Sequence, residues 1–173
     1  SVAFCIIAKV RATPAPAPPA SGDMVVAVPY GEAPFAGNRT DRLRALVGEL
    51  AAEDFRGRVD LRSHAARFCL AGNGSEGFSL APPDLPQSQC DLVGNPAEEV
   101  RQPRESVMFA NAVTELRRVH SGRIQIEVDD LREDALVQPY PDLAPGARPA
   151  TAGEWNAAAT ANNRVVIRWS GTP

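Results

Sequence analysis

The sequence predicts an α/β sandwich, with one mixed sheet and helices packed on one face. Three observations carry that expectation. Runs of strand length alternate with segments of helical spacing, in the order strand, helix, strand, helix, strand, short helix, strand. Ile124-Gln125-Ile126-Glu127-Val128 alternates apolar and polar residues, as a half-buried strand does. Leu43, Leu46, Val47 and Leu50 recur instead at the spacing of a helix face.

Taken in order, residues 2–10 are rich in β-branched and aromatic side chains and read as a short strand. The same run is also what a signal peptide or anchor would leave behind. Residues 1–11 therefore form an N-terminal strand or anchor remnant. An Ala/Pro-rich linker follows over 12–22, where proline fixes φ, removes N–H donors and favours an extended spacer. The folded domain spans 23–173. It opens with the apolar strand Met24–Val28, then a loop through Pro29 to Asn38 broken by Gly31, Pro34 and Gly37. Asn38 or Thr40 is expected to cap the first helix. Gly57 ends the turn after it, and Val59–His64 reads as a strand.

Two long loop insertions interrupt the regular elements. The first, 65–103, holds Pro82, Pro83, Pro86, Pro96 and Pro103, with a Gly-rich tip at 71–77 expected to be flexible. The second helix is predicted over 104–119, with Val107, Ala110, Val113, Thr114 and Leu116 facing inward and Gly122 as its stop. The second insertion covers 129–150. A short helix over 152–160 leads into the last strand, Arg164 to Trp169.

Composition narrows the function classes. Net charge is -3 and the pI near 5.4, so no basic excess points to nucleic acid. No apolar run approaches the roughly 20 residues a membrane helix needs. Hydrophobic content of 44% with 23% charged residues fits a globular domain with one core. One lysine against seventeen arginines reads as the bias of a high-GC bacterial genome.

Cys69 and Cys90 bracket a segment of Gly, Pro, Ser and Asp that has little power to fold alone. A disulfide between them in an oxidising compartment would contribute roughly 3 kcal/mol by loop entropy. The alternative is a pair of partly buried free thiols, and Cys5 is left free or paired between chains. No C-x-x-C is present and His64 and His120 lie on different elements, so no metal site or cofactor is expected. No nucleophile elbow or phosphate-binding glycine pattern accompanies His64, so the chain does not read as an enzyme. The neighbouring carboxylates Glu98-Glu99 and Asp129-Asp130 read as solvated loop charge. Trp155 is expected to cap an edge of the core; the alternative is an anchor for a partner protein.

Two motifs carry a family resemblance over roughly residues 24–169. Ser106-Val107-Met108-Phe109-Ala110-Asn111-Ala112-Val113 opens a helix, and Asn162-Asn163-Arg164-Val165-Val166-Ile167 closes the domain. Together they resemble the OmpA/Pal/MotB-type domain, in which a helix N-x-x-L-S-x-x-R-A-x-x-V precedes a strand N-R-R-V-x-I. The resemblance implies a βαβαβ–β layout and a bacterial periplasm, associated with the cell envelope or outer membrane. It also implies a site that grips the diaminopimelate of peptidoglycan. In that family an Asp after the second strand, in G-H-T-D, receives the ligand ammonium. The helix Arg holds the ligand carboxylate by a bidentate pair. Here Ser63-His64-Ala65-Ala66 keeps the His and puts Ala66 at the Asp position, while Phe109 stands at the Arg position. Asn163 replaces the first strand Arg; Asn162 and Arg164 remain. Both charges of the clamp are absent, although Arg67 or Arg104 and Asp84 or Asp91 would restore them if the insertion shifts the alignment.

The expected function is that of a docking or structural module in an oligomeric envelope assembly of secretion, pilus or motor type. Its partners would be other envelope proteins, reached through the N-terminal strand and the loops. The alternative is a working non-covalent peptidoglycan anchor of an outer-membrane protein or lipoprotein.

Overall fold

The computed structural model describes residues 21–99, 104–129 and 136–172. The expected strand over 2–10, Cys5 and most of the Ala/Pro linker lie outside the described residues, as do Asp130 and the side chains of Glu98 and Glu99. The protein is mixed α/β, with two sheets. Strands β1 (Ser21–Ala27), β2 (Gly57–His64), β6 (Ile124–Asp129) and β7 (Arg164–Gly171) form a four-stranded sheet in the order β1-β7-β2-β6. β7 runs antiparallel to both β1 and β2, and β6 runs parallel to β2. Ser21 and Gly22, read above as the end of the linker, belong to β1.

Helices α1 (Asn38–Ala52) and α3 (Val107–Val119) pack against this sheet. The main core joins Leu43, Leu46, Val47 and Leu50 of α1 to Val59 and Leu61 of β2, Ile124 and Ile126 of β6, and Val165 and Ile167 of β7. Each fully buried aliphatic side chain is worth about 1.5–3 kcal/mol, so this layer supplies most of the apolar stabilisation. Gly57 starts β2 rather than ending a turn. A Cβ there would run into the Ser170 carbonyl, and the positive φ of the preceding turn falls on Asp54 instead. Gly22 similarly leaves room for the ring of Trp169, its partner across β7.

Two local expectations are corrected. α1 has Gly37 as its N-cap with no side-chain cap, because Thr40 is buried inside the helix and Asn38 Oδ1 accepts from Arg39 Nη1. Arg39 does the anchoring that a cap would have done. Its fully buried guanidinium donates to the carbonyls of Pro34 and Ala33 at 3.0 and 2.7 Å and pairs with Glu32 at 2.8 Å. The loop before the helix is thereby folded onto the helix start. In α3 the inward face is Phe109, Ala112 and Val113, with Leu116 alongside, whereas Val107 is 77% exposed. Ser106 caps this helix, accepting from Phe109 N–H at 3.0 Å.

The largest correction concerns the first insertion. Residues 68–94 form a second sheet of three antiparallel strands, β3 (Phe68–Asn73), β4 (Gly77–Leu80) and β5 (Leu92–Gly94), in the order β4-β3-β5. A single turn of 3-10 helix at Gln87–Gln89 precedes β5, and a four-residue helix, α2 (Pro96–Glu99), follows it. The Gly-rich tip is an ordered hairpin turn in which Asn73 Oδ1 accepts from the Ser75 and Glu76 amides. Helix α4 (Ala152–Asn162) packs on this second sheet through Trp155 and Ala159, not on the main sheet.

Cys69, buried on β3, and Cys90, ahead of β5, lie at disulfide-bonding distance with Cα atoms 5.4 Å apart. Non-reducing peptide mapping should recover these two cysteines in one linked species, and the Cys69→Ala/Cys90→Ala double variant should lose about 3 kcal/mol in urea unfolding. Quantitative alkylation of both thiols in protein made under oxidising conditions would contradict the linkage. Arg39→Met should cost about 3 kcal/mol, because two buried carbonyls lose their donors at once. An unfolding midpoint unchanged by that substitution would show that the 29–37 loop does not depend on Arg39.

Candidate functional site

Of the residues singled out by sequence, His64, Ala66, Asn162 and Arg164 lie where β2 ends, β7 begins and the second sheet is attached, whereas Phe109 sits in the main core. Register sets His64 directly across from Arg164, and Ser63 across from Val165. Ser63 is fully buried, and Arg104 Nη2 approaches its hydroxyl at 3.5 Å. Arg164 is buried and donates from Nη1 to the Asn162 carbonyl at 2.8 Å, so its fork holds the α4–β7 junction.

Ala66 and Phe109, the two apolar residues at the clamp positions of the resemblance, are both buried. Ala66 is 3% exposed and packs with Phe68, Leu70 and Ala159 in a second apolar cluster. Phe109 has no exposed surface; its ring lies 5.3 Å from that of Phe35 in the main core. Backbone bonds hold that contact in place, since Phe35 N–H donates to Arg104 O and Ser106 N–H donates to Phe35 O. The Phe109 side chain is therefore a core element at the first turn of α3, and an Arg there would have to bury its charge.

Asparagines do the joining around these residues, a role that sequence reasoning did not assign to them. Asn163 Oδ1 accepts from Ala66 N–H at 3.1 Å and from Asn95 Nδ2 at 3.2 Å, while its Nδ2 donates to Val28 O at 2.9 Å. Asn95 Nδ2 also donates to Ala66 O. Asn162 Oδ1 accepts from the amides of Val137 and Gln138, and its Nδ2 donates to Gln138 O. Asn156 on α4 brackets Cys69, accepting from its N–H and donating to its C=O. All of these side chains are uncharged and, apart from the Asn95–Asn163 bond, meet backbone groups, which is the geometry of a structural joint. The available signal in the sequence was the density of Asn around 156–163 in an Arg-rich chain.

The charges that an alignment shift would have supplied are engaged or turned outward. Asp91 Oδ2 accepts from Gly72 N–H at 2.9 Å, which stiffens the hairpin. Asp84 and Arg67 are exposed. The backbone of Arg67 is clamped by aromatic tips: its N–H donates to the Tyr140 hydroxyl and its C=O accepts from Trp155 Nε1. Trp155 stacks on Tyr140 at 4.5 Å and is almost fully buried, closing a core edge as expected. Tyr30 meets Phe68 edge-on at 5.1 Å, and burial pushes its phenol above the ordinary value. Among the described residues, no group of three or more His, Cys, Asp or Glu side chains is placed to hold a metal ion. No helix among them is long and apolar enough to cross a membrane.

Comparison with family models, characterised proteins and solved structures finds no match to this chain.

Asn163→Leu should destabilise the protein by about 3 kcal/mol, since it leaves the Ala66 amide and the Val28 carbonyl buried without partners. Hydrogen exchange should then accelerate in both sheets together. Acceleration confined to β7 would mean that Asn163 does not link the two sheets.

Proposed function

We propose that this chain is an OmpA-like module of a bacterial cell envelope that has given up the diaminopimelate clamp and acts as a structural, docking subunit of an envelope assembly. The observation that carries the reading is the burial of both clamp positions. Ala66 and Phe109 are apolar, 3% and 0% exposed, and engaged in two separate apolar clusters. A zwitterionic ligand needs a carboxylate and a guanidinium facing one solvent-open site. Losing both charges leaves consistent apolar surroundings, whereas losing one would strand the other at a cost of several kcal/mol.

Further support comes from the sheet order, with an antiparallel last strand inserted between the first and second. The elements of the main sheet and its helices also follow one another in a way that fits the βαβαβ–β layout the resemblance implies. The Cys69–Cys90 pair fits an oxidising compartment such as the periplasm. A structural role also agrees with Asn162, which bonds the backbone of Val137 and Gln138, and with the Arg164 bond to the Asn162 carbonyl.

Co-sedimentation with purified sacculi, with free diaminopimelate as competitor, tests the proposal. The clamp's two charge-assisted hydrogen bonds are each worth about 1.5–3 kcal/mol, so affinity should fall two to four orders of magnitude below that of a domain with both charges. Tight binding that diaminopimelate competes away would overturn the reading and favour the peptidoglycan anchor. Ala66→Asp/Phe109→Arg should lower stability, because it puts both charges into buried positions.

A further inference from the structure

The two edges of the main sheet are treated differently. At the β6 edge, α3 reaches over: Arg117 donates from Nε and Nη2 to the Ile126 carbonyl at 3.1 and 2.8 Å, occupying a backbone acceptor in the middle of the strand. Such a capped edge resists pairing with another chain. At the opposite edge β1 ends the strand order, and among the described residues nothing pairs with its outer side. Val28 N–H donates to Asn163 O in continuation of the β1–β7 register. Alternation then turns the backbone groups of Val26, Met24 and Gly22 toward β7, and those of Asp23, Val25 and Ala27 outward. Val25 also shows its side chain to solvent, at 58% exposure.

We propose that two copies of this chain join edge to edge through β1, antiparallel across a two-fold axis at Val25, to make one continuous sheet. This goes beyond the docking role and does not depend on the compartment. Centring the pair on Val25 sets Val25 against its own copy and Asp23 against Ala27. All three residues have outward N–H and C=O groups, and no like charges face each other. A two-fold axis requires the same patch to complement itself, and the helix above the strand does so. Arg42 Nη2 reaches Met24 Sδ at 3.3 Å, which places this side of α1 over β1. Arg42, Ala45 and Glu49 follow at i, i+3 and i+7 and are all exposed. When two α1 helices lie antiparallel across the axis, Arg42 of one faces Glu49 of the other. Ala45 is small enough between them for the close approach that packed helices make.

Sedimentation of the full chain tests this, in a Cys5→Ser background so that no intermolecular disulfide contributes. The expected result is a concentration-dependent dimer at twice the 18.4 kDa chain mass. Val25→Pro removes the central outward N–H without deleting a β1–β7 bond, and proline is tolerated on an edge strand. It should yield a monomer with unchanged circular dichroism. Arg42→Glu and Glu49→Arg should each weaken the dimer about tenfold, and the double variant should restore it. That arm remains decisive if Val25→Pro fails to fold. A wild-type monomer across the micromolar range overturns the proposal. So does a dimer indifferent to both sets of substitutions, or one abolished by Ile6→Lys, which would make the N-terminal segment the occupant of the edge.

Discussion

The junction at Asn163 is the constraint on which the two halves of the protein depend. One amide side chain satisfies the end of β1 through Val28 O, the approach to β3 through Ala66 N–H, and the insertion through Asn95. A buried backbone group without a partner costs about 1–3 kcal/mol. Val28 C=O and Ala66 N–H, which leave their ladders at the same place, would incur that penalty together. An asparagine at the first residue before β7 offers an acceptor and a donor on one short, stiff side chain. It can therefore close the gap without bringing a charge into the core.

The same solution recurs on the second sheet. Asn156 on α4 meets both the N–H and the C=O of Cys69, in the manner of a neighbouring strand, and so lets a helix continue a sheet. Asn162 repeats the pattern on residues 137 and 138. Arg39 shows the charged version of the same task. Its guanidinium is buried, yet three of its contacts are backbone or side-chain oxygens of the loop and its ion partner Glu32 is half in solvent. Desolvation of the charge is offset there by fork geometry that suits several acceptors at once. The asparagine joints avoid that desolvation altogether.

How much was legible follows from the physics of each element. β6 and α1 were read from the sequence because one face of each is buried, so periodicity records the burial. β2 followed for the same reason, whereas β7 is buried continuously over its first four residues and was marked by its apolar run. The second sheet was not legible: its strands are six, four and three residues long, too short to establish an alternation, and its prolines suggested a structureless loop. The face of α3 was assigned wrongly because Phe109 had been given to a ligand position. Putting Phe109 inward restores a helical stripe with Ala112, Val113 and Leu116. Of the candidate site, the polar bracket of His64, Asn162 and Arg164 could be found from motifs. The roles of Asn163 and Asn95 could not, because both depend on contacts between residues 29 or more positions apart.

The proposed loss of the clamp and the shape of the core are one question, not two. With Phe109 inside, its ring fills the space between α3 and the 29–37 loop against Phe35, and that loop is in turn fixed by Arg39 on α1. A guanidinium at position 109 would have to leave the core to meet a ligand. The first turn of α3 would then lose the aromatic contact that seats it beside α1. On the other side, Ala66 is small and apolar where α4 and β3 meet, and its backbone is already engaged at both N–H and C=O. A carboxylate there would displace the packing of Phe68 and Ala159. Phe109 and Ala66 thus belong to different hydrophobic clusters, coupled through the fold and not through a shared pocket. Both contribute to stability through that packing.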